Sequence, residues 1–378
     1  MLTVAWLSEA SCSIDDFIGV VEQVTEPADY PHAARVEQGA VVYESASLRD
    51  VLTTPGADRV LMSEIAGALS DGPGIVVFTQ ALDHDVVDRA SIEFQAIIES
   101  ERATATTGGD HFAKPGDNDR IWNALQKLAA RSPNVFADYY ANDIIALAAQ
   151  SWLGPNYQVT SQVNVVNPGG AAQLPHRDYH LGFMENAVAE SFPAHVHRLS
   201  TVMTLQGAIA HCDMPLETGP TMYLPHSHKY EAGYVAWRRD DFKQYFAEHH
   251  MQVPLAKGDA VFFNPALFHG AGTNHTPDVR RMANLLQVGT ALGRTLESVD
   301  RRSMVELLYP TLLERLDTGA DRAALHRVVA ATAEGYAFPC DLDVDQPIDG
   351  LTPPSDADIV RLALDERWTP EQLATRLR

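Results

Sequence analysis

Cysteine is scarce in this chain. Three occur in 378 residues, Cys12, Cys212 and Cys340, far apart and without a CxxC pair. That spacing excludes a disulfide framework and a thiolate zinc site, and a reduced, cytoplasmic setting is the expectation. Lysine is also short, five against twenty-three arginines, which reads as a compositional habit. Basic charge as a whole is outnumbered, leaving a formal charge of -22. A field of that sign disfavours nucleic acid and anionic membrane surfaces, so neither is an expected partner. No apolar run reaches the ~18–20 residues of a membrane span. The opening stretch MLTVAWLSEASCSIDDF has no basic region of the kind that begins a secretory signal. Internal repeats and low-complexity linkers are missing too. What remains is an ordinary globular composition, 46% hydrophobic and 21% charged, with ample material for a core. Nothing in it marks an oligomeric state.

The pattern along the chain is helical at both ends and β in the middle. Residues 1–60 carry one strand candidate, Gly39–Tyr43, and read as an extension packed on the core. Helices are expected over Leu61–Leu69, over Asp85–Arg102 with Asp83 as its cap, and over Asn134–Leu153, which ends at Gly154-Pro155. Gly74–Thr79 is a buried strand candidate, and Thr104–Asp119 a polar, glycine-rich loop. From Tyr157 short apolar runs alternate with Gly, Pro, Asn and Asp: Tyr157–Val166, Leu199–Ala210, Thr221–Leu224, Ala260–Asn264 and Arg281–Val288. That is the signature of a β barrel or sandwich. Helices return over Ser303–Leu316, Arg322–Glu334 and Asp356–Leu364. The expected organisation is a mainly β core domain over residues 61–294, flanked by helices, with a helical extension over 295–378.

Within the β region, His176-Arg177-Asp178 places a histidine and a carboxylate two residues apart, on one face of an extended segment. His269 follows far downstream, where the apolar run Ala260–Phe268 gives way to a glycine-rich loop. Two histidines and one carboxylate suit one face of an octahedral Fe(II), leaving positions for O2 and a co-substrate. Arg280 then acquires a task. A guanidinium can grip the distal carboxylate of 2-oxoglutarate through two parallel hydrogen bonds. By alternation only one of Arg280 and Arg281 faces inward, and Asn284 shares the face of Arg280. Gln162 and Asn164, alternate polar residues on an apolar strand, suggest an interior wet enough for a ligand. Arg177, between two ligands, should point away from the metal.

Four stretches together carry a family resemblance: Pro175–His180; Glu217–Lys229; Gly258-Asp259 through His269-Gly270-Ala271-Gly272; and Arg280 after them. The chain resembles the phytanoyl-CoA dioxygenase family of Fe(II)/2-oxoglutarate oxygenases over roughly residues 60–290. The resemblance implies a double-stranded β-helix (jelly-roll, cupin-like) core. It also implies iron on His176, Asp178 and His269, and 2-oxoglutarate on Arg280. His226 stands where the family commonly has glycine.

The expected activity is hydroxylation of an unactivated C–H of a small organic molecule, with release of succinate and CO2. Desaturation and cyclisation use the same iron site. Asp178 argues against halogenation, in which a small residue leaves that ligand position to chloride. Phe112, Lys114, Arg120 and Trp122, on the early polar loop, are candidate substrate contacts, with His180 and His228 near the motifs. Two other classes compete. A zinc hydrolase on the same triad leaves the arginine without a task. A non-catalytic jelly-roll binding protein would not need all four residues.

Overall fold

The computed structural model describes residues 5–104, 116–344, 346, 347 and 350–377. Eleven strands occur among them: β1 Arg35–Glu37, β2 Ala40–Glu44, β3 Ile75–Thr79, β4 Asn118–Ile121, β5 Tyr157–Val166, β6 Thr204–Ala210, β7 Met222–Leu224, β8 Met251–Gln252, β9 Ala260–Phe263, β10 Phe268–Gly270 and β11 Arg281–Thr290. Eight form a large sheet in the order β1-β2-β3-β9-β6-β11-β5-β4, and three a small one, β10-β7-β8. Only the β2–β3 pairing is parallel. The two sheets face each other as a jelly roll with helices outside it.

The large sheet is buried on both sides, and alternation divides its residues. Outward-facing Val76, Phe78, Val159, Val163, Ile209, Phe262 and Leu286 join the core beneath the helices. Inward-facing Val77, Ala208, Ala210, Val261 and Phe263 pack toward Tyr223, Met251 and Val253 from the small-sheet side. Ala208, Ala210, Val261, Phe263, Tyr223 and Val253 also line a cavity between the sheets.

The helical layer departs from the sequence reading in two places. Residues 134–153 are two helices, Pro133–Tyr140 and Asp143–Leu153, because the Asn142 side chain accepts from the Ile144 and Ile145 amides and starts a new helix there. The run Leu199–Ala210 is a helix up to Val202 and a strand only from Thr204. Residues 35–44, two strands of the large sheet, make the N-terminal segment part of that sheet. Beyond Arg301, four helices pack against the outer core through Met304, Leu308, Leu312, Val328 and Val360. No helix among the described residues is long and apolar enough to cross a membrane.

Candidate active site

His176 lies in an irregular segment that is stitched to β10. The His176 amide donates to the His269 carbonyl (3.0 Å) and the His269 amide to the His176 carbonyl (3.2 Å), so the two imidazoles stand side by side with ring centroids 4.5 Å apart. The Asp178 amide donates to the Pro265 carbonyl at 3.1 Å, fixing the third member on the same pair of segments. Its carboxylate oxygens lie 3.5 Å from His176 Nε2 and 3.3 Å from His269 Nε2. His176, Asp178 and His269 are the one such group of three potential ligands among the described residues.

Each imidazole is oriented from behind. His176 Nδ1 meets the Leu174 carbonyl at 3.0 Å and His269 Nδ1 the Leu267 carbonyl at 2.8 Å. A carbonyl only accepts, so each Nδ1 carries a proton and each Nε2 is turned toward Asp178. Burial lowers the His176 pKa against the pull of Asp178, favouring the neutral ring that a metal requires. For Asp178 burial pushes upward, but His176, His269 and Gln206 outweigh it and hold the carboxyl well below the ordinary range. Gln206 Nε2 donates directly to Asp178 Oδ2. Two imidazoles and a carboxylate so placed form a donor set that fits a divalent transition metal.

Directly after Asp178 the chain turns through Tyr179 (φ 64°, ψ 151°) and His180 (φ 43°). Such backbone costs on the order of 1–3 kcal/mol at a non-glycine residue. The turn breaks the alternation that would have put His180 on the triad's face. His180 lies outside the cavity, with Nδ1 3.4 Å from Ser200 Oγ. Arg177 points away from the triad, as expected. Its guanidinium is buried between Tyr234 and Phe268 and donates to the Ser227 and Tyr230 carbonyls at 2.6 and 3.0 Å. Gly233 lets it in: a Cβ there would overlap the guanidinium.

The triad sits on a cavity of about 1030 Å³. One wall is formed by β6 and β11. Inward-facing Gln206, Ala208 and Ala210 of β6 pair in register with Gln287, Leu285 and Ala283 of β11. Next along β11 comes Arg281, also inward-facing and 6% exposed. Its Nη1 donates to the Thr218 carbonyl at 3.1 Å, and no carboxylate pairs with it among the described residues. Burial lowers its pKa to about 10. An alanine-floored slot therefore runs from Asp178, held by Gln206, to a buried and uncompensated cation. A cation so placed favours an anionic ligand.

Arg280 is not that cation. It precedes β11 on the outward phase, half exposed, and binds Asp119 (3.0 Å) and Asn167 (3.1 Å). Asn284, on the same phase, is buried on the outer face beside the Tyr139 and Tyr140 hydroxyls. Neither lines the cavity. Gln162, Asn164, Arg120 and Trp122 do line it. Gln162 accepts from Arg120 Nη1 at 2.8 Å and Asn164 from Asn118 at 3.1 Å. His228 is buried elsewhere, with Nε2 donating to the Ser70 carbonyl at 2.9 Å. Phe112 and Lys114 lie outside the described residues. His226 adopts φ 65°, the conformation that glycine suits best, and is held there by Thr25 (3.2 Å) and Lys229 (2.9 Å). Sequence reasoning passed over Arg281, although the arginine pair was in view, and also Gln206 and Glu297, which line the cavity. Gln206 had a signal, a lone polar residue in the apolar strand TLQGAIA; Glu297, in an irregular segment, had none.

The profile of the phytanoyl-CoA dioxygenase (PhyH) family matches residues 70–282. The chain belongs to the phytanoyl-CoA dioxygenase family. Iron and 2-oxoglutarate are this family's cofactor and co-substrate, with O2 as oxidant, and the donor set described above fits the iron. Among curated proteins, Dioxygenase trt7 of Aspergillus terreus is 27% identical over 216 residues, covering 55% of this chain and 67% of that protein. Among solved structures, the non-heme alpha ketoglutarate dependent carbocyclase SnoK is 21% identical, with 62% of this chain and 86% of that chain covered at a TM-score of 0.44. The corresponding epimerase SnoN is 18% identical, with 62% and 82% covered at 0.42.

Proposed function

We propose that this family member hydroxylates a C–H bond of a small organic molecule, with His176, Asp178 and His269 holding Fe(II) and Arg281 holding 2-oxoglutarate. The observation that carries the reading is Arg281, a buried cation without a carboxylate partner, on the same cavity as the triad. Iron and its co-substrate supply the oxidising chemistry: substrate C–H, 2-oxoglutarate and O2 become C–OH, succinate and CO2.

The chain's own contributions follow from the site. His176 and His269 would offer Nε2 to the metal, because Nδ1 of each is committed to the carbonyl behind it. Gln206 holds Asp178 through Oδ2, which fixes the orientation of the only anionic ligand. Ala208, Ala210 and Ala283 leave room for a flexible dicarboxylate between the metal ligands and Arg281. Arg281 gives that co-substrate a charge-assisted anchor in a poorly solvated place. A zinc hydrolase would have no use for Arg281.

Anaerobic titration with Fe(II) and then 2-oxoglutarate tests the proposal. The expected result is a weak visible charge-transfer band, absent in His269→Ala and weakened in Arg281→Met. A folded, metal-loaded protein that shows no band and binds no 2-oxoglutarate overturns it.

A further inference from the structure

Arg120, Arg177, Arg238 and Arg281 all touch the cavity. Arg281 is assigned to the co-substrate. Arg177 turns its guanidinium away, to the Ser227 and Tyr230 carbonyls. Arg120 donates to Gln162 and lies in the field of the Glu297 carboxyl. Arg238 has no task in the site so far described.

Arg238 stands between the helices Gly233–Ala236 and Asp240–His249. Its guanidinium lies over the Trp237 ring, 3.9 Å from the centroid. Nη1 donates to Asn186 Oδ1 at 3.1 Å and Nη2 to the Gly182 carbonyl at 3.3 Å. The Asn186 amide is itself oriented, because its Nδ2 donates to the Glu9 carboxylate and to the Val235 carbonyl. Both of those only accept, so Oδ1 is the atom that faces the arginine. An aromatic face and two neutral acceptors thus hold the guanidinium still, and none of them cancels its charge. Burial pushes its pKa down, while Glu185 and Glu9 push it up from a distance, since Arg238 forms no ion pair among the described residues. Its Nε has no protein partner and, unlike the Nε atoms of Arg120 and Arg177, is not buried. A ligand can therefore reach it.

An oriented, accessible and unpaired guanidinium beside a reaction cavity suits an oxyanion. A single carboxylate matches its single charge. A phosphate dianion fits less well, with Glu185 and Glu9 in range and a formal charge of -22 on the chain. Around Arg238 the cavity is apolar, through Phe183, Trp237 and Leu174, and the first and last of these are exposed. We propose that the substrate is an organic carboxylate with an apolar body, and that Arg238 binds its carboxylate. The inference rests on the oxygenase reading for the reaction, whereas the recognition of the anion stands on Arg238 and its surroundings. Arg238 shares no hydrogen-bond partner with Arg281, so the two arginines bind two different anions, substrate and co-substrate.

The test is calorimetric binding of matched acids and amides to the Mn(II)-loaded full chain, with and without 2-oxoglutarate: 1-naphthylacetate against 1-naphthylacetamide, and decanoate against decanamide. Each carboxylate should bind at least about tenfold tighter than its amide, the scale of one charged hydrogen bond. Arg238→Gln should shrink that ratio to below about threefold, with amide and 2-oxoglutarate affinities changed by less than about twofold. Arg238→Lys keeps the charge without the fork and should recover part of the ratio. A role confined to tying the helices together would lower the melting temperature and weaken acid and amide alike. The proposal is overturned if amide binds as well as acid, if neither acid binds, if the ratio survives in Arg238→Gln, or if that variant loses 2-oxoglutarate instead. The comparison of acid with amide on the wild type decides the matter even where a variant does not fold. Failure of the wild type to bind 2-oxoglutarate, with the acid preference intact and lost in Arg238→Gln, would instead sink the oxygenase reading.

Discussion

Exchanging the two adjacent arginines one at a time separates the cavity from the surface. Arg281 is 6% exposed and lacks a carboxylate partner, whereas the Arg280 side chain is 49% exposed and paired with Asp119. A hydrogen bond involving a charged group contributes about 1.5–3 kcal/mol. Two such bonds to one carboxylate give about 3–5 kcal/mol, or roughly two to four decades in affinity at 1.4 kcal/mol per decade. Arg281→Met should therefore weaken 2-oxoglutarate binding by at least about a hundredfold. Arg281→Lys should recover part of it, as a point charge lacking the fork. Arg280→Met removes an exposed pair contributing about 0–1 kcal/mol to stability and should change 2-oxoglutarate affinity by less than about fivefold. Anaerobic calorimetry on the Fe(II)-loaded proteins reads all three, with thermal melting as the check on folding. If Arg280→Met abolishes binding while Arg281→Met retains it, the assignment of the slot is refuted.

Other perturbations address the groups behind the site. Gln206→Leu removes the donor to Asp178 and should lower metal affinity about 10–100-fold, measured by chelator competition; unchanged affinity would show that Asp178 orients without it. Arg177→Ala empties a buried slot and strips donors from the Ser227 and Tyr230 carbonyls, so the urea midpoint should fall by the equivalent of about 3–5 kcal/mol, and a neutral result would contradict that role. His211 and His228 are buried, and burial takes the pKa of each from 6.5 to about 3. Below the unfolded value the unfolded chain binds protons that the native one refuses, so stability is complete above about pH 6.5 and falls toward about pH 3. The loss should be about 2 kcal/mol for each histidine at about pH 5, and urea melts at pH 7 and 5 that agree would disprove it.

The triad was legible because local rules suffice for it. Alternation puts His176 and Asp178 on one face, and His269 stands where an apolar strand meets a glycine-rich loop. The arginine was not. Alternation says that Arg280 and Arg281 diverge, but the phase is set by the register of β11 against β5 and β6. Met282 and Leu286 on one face and Ala283 and Leu285 on the other are all apolar, because the strand is covered on both sides. No hydrophobic pattern distinguishes in from out there, and the expected inward phase of Asn284 rested on the same choice. His180 was misplaced for a different reason, since positive φ at Tyr179 cannot be read from a tyrosine. The stretch before Thr204 is short enough to suit a helix or a strand, and its first residues continue the helix that begins at Ala194. The break at Asn142 could have been found: asparagine before Asp143 is an N-cap signal inside what was read as one long helix.

The reciprocal amide–carbonyl bonds between His176 and His269 bear on how a metal comes and goes. In many small metal proteins the ion must gather its ligands from a loose chain, and its affinity is reduced by that ordering. Here the backbone has already joined two distant stretches, and Pro265 holds the third ligand to them. An ion that enters meets a finished seat and one that leaves need not loosen it. Exchange at such a seat is governed by access and by competition among ions, so divalent metals of similar size can replace one another while the fold stays intact.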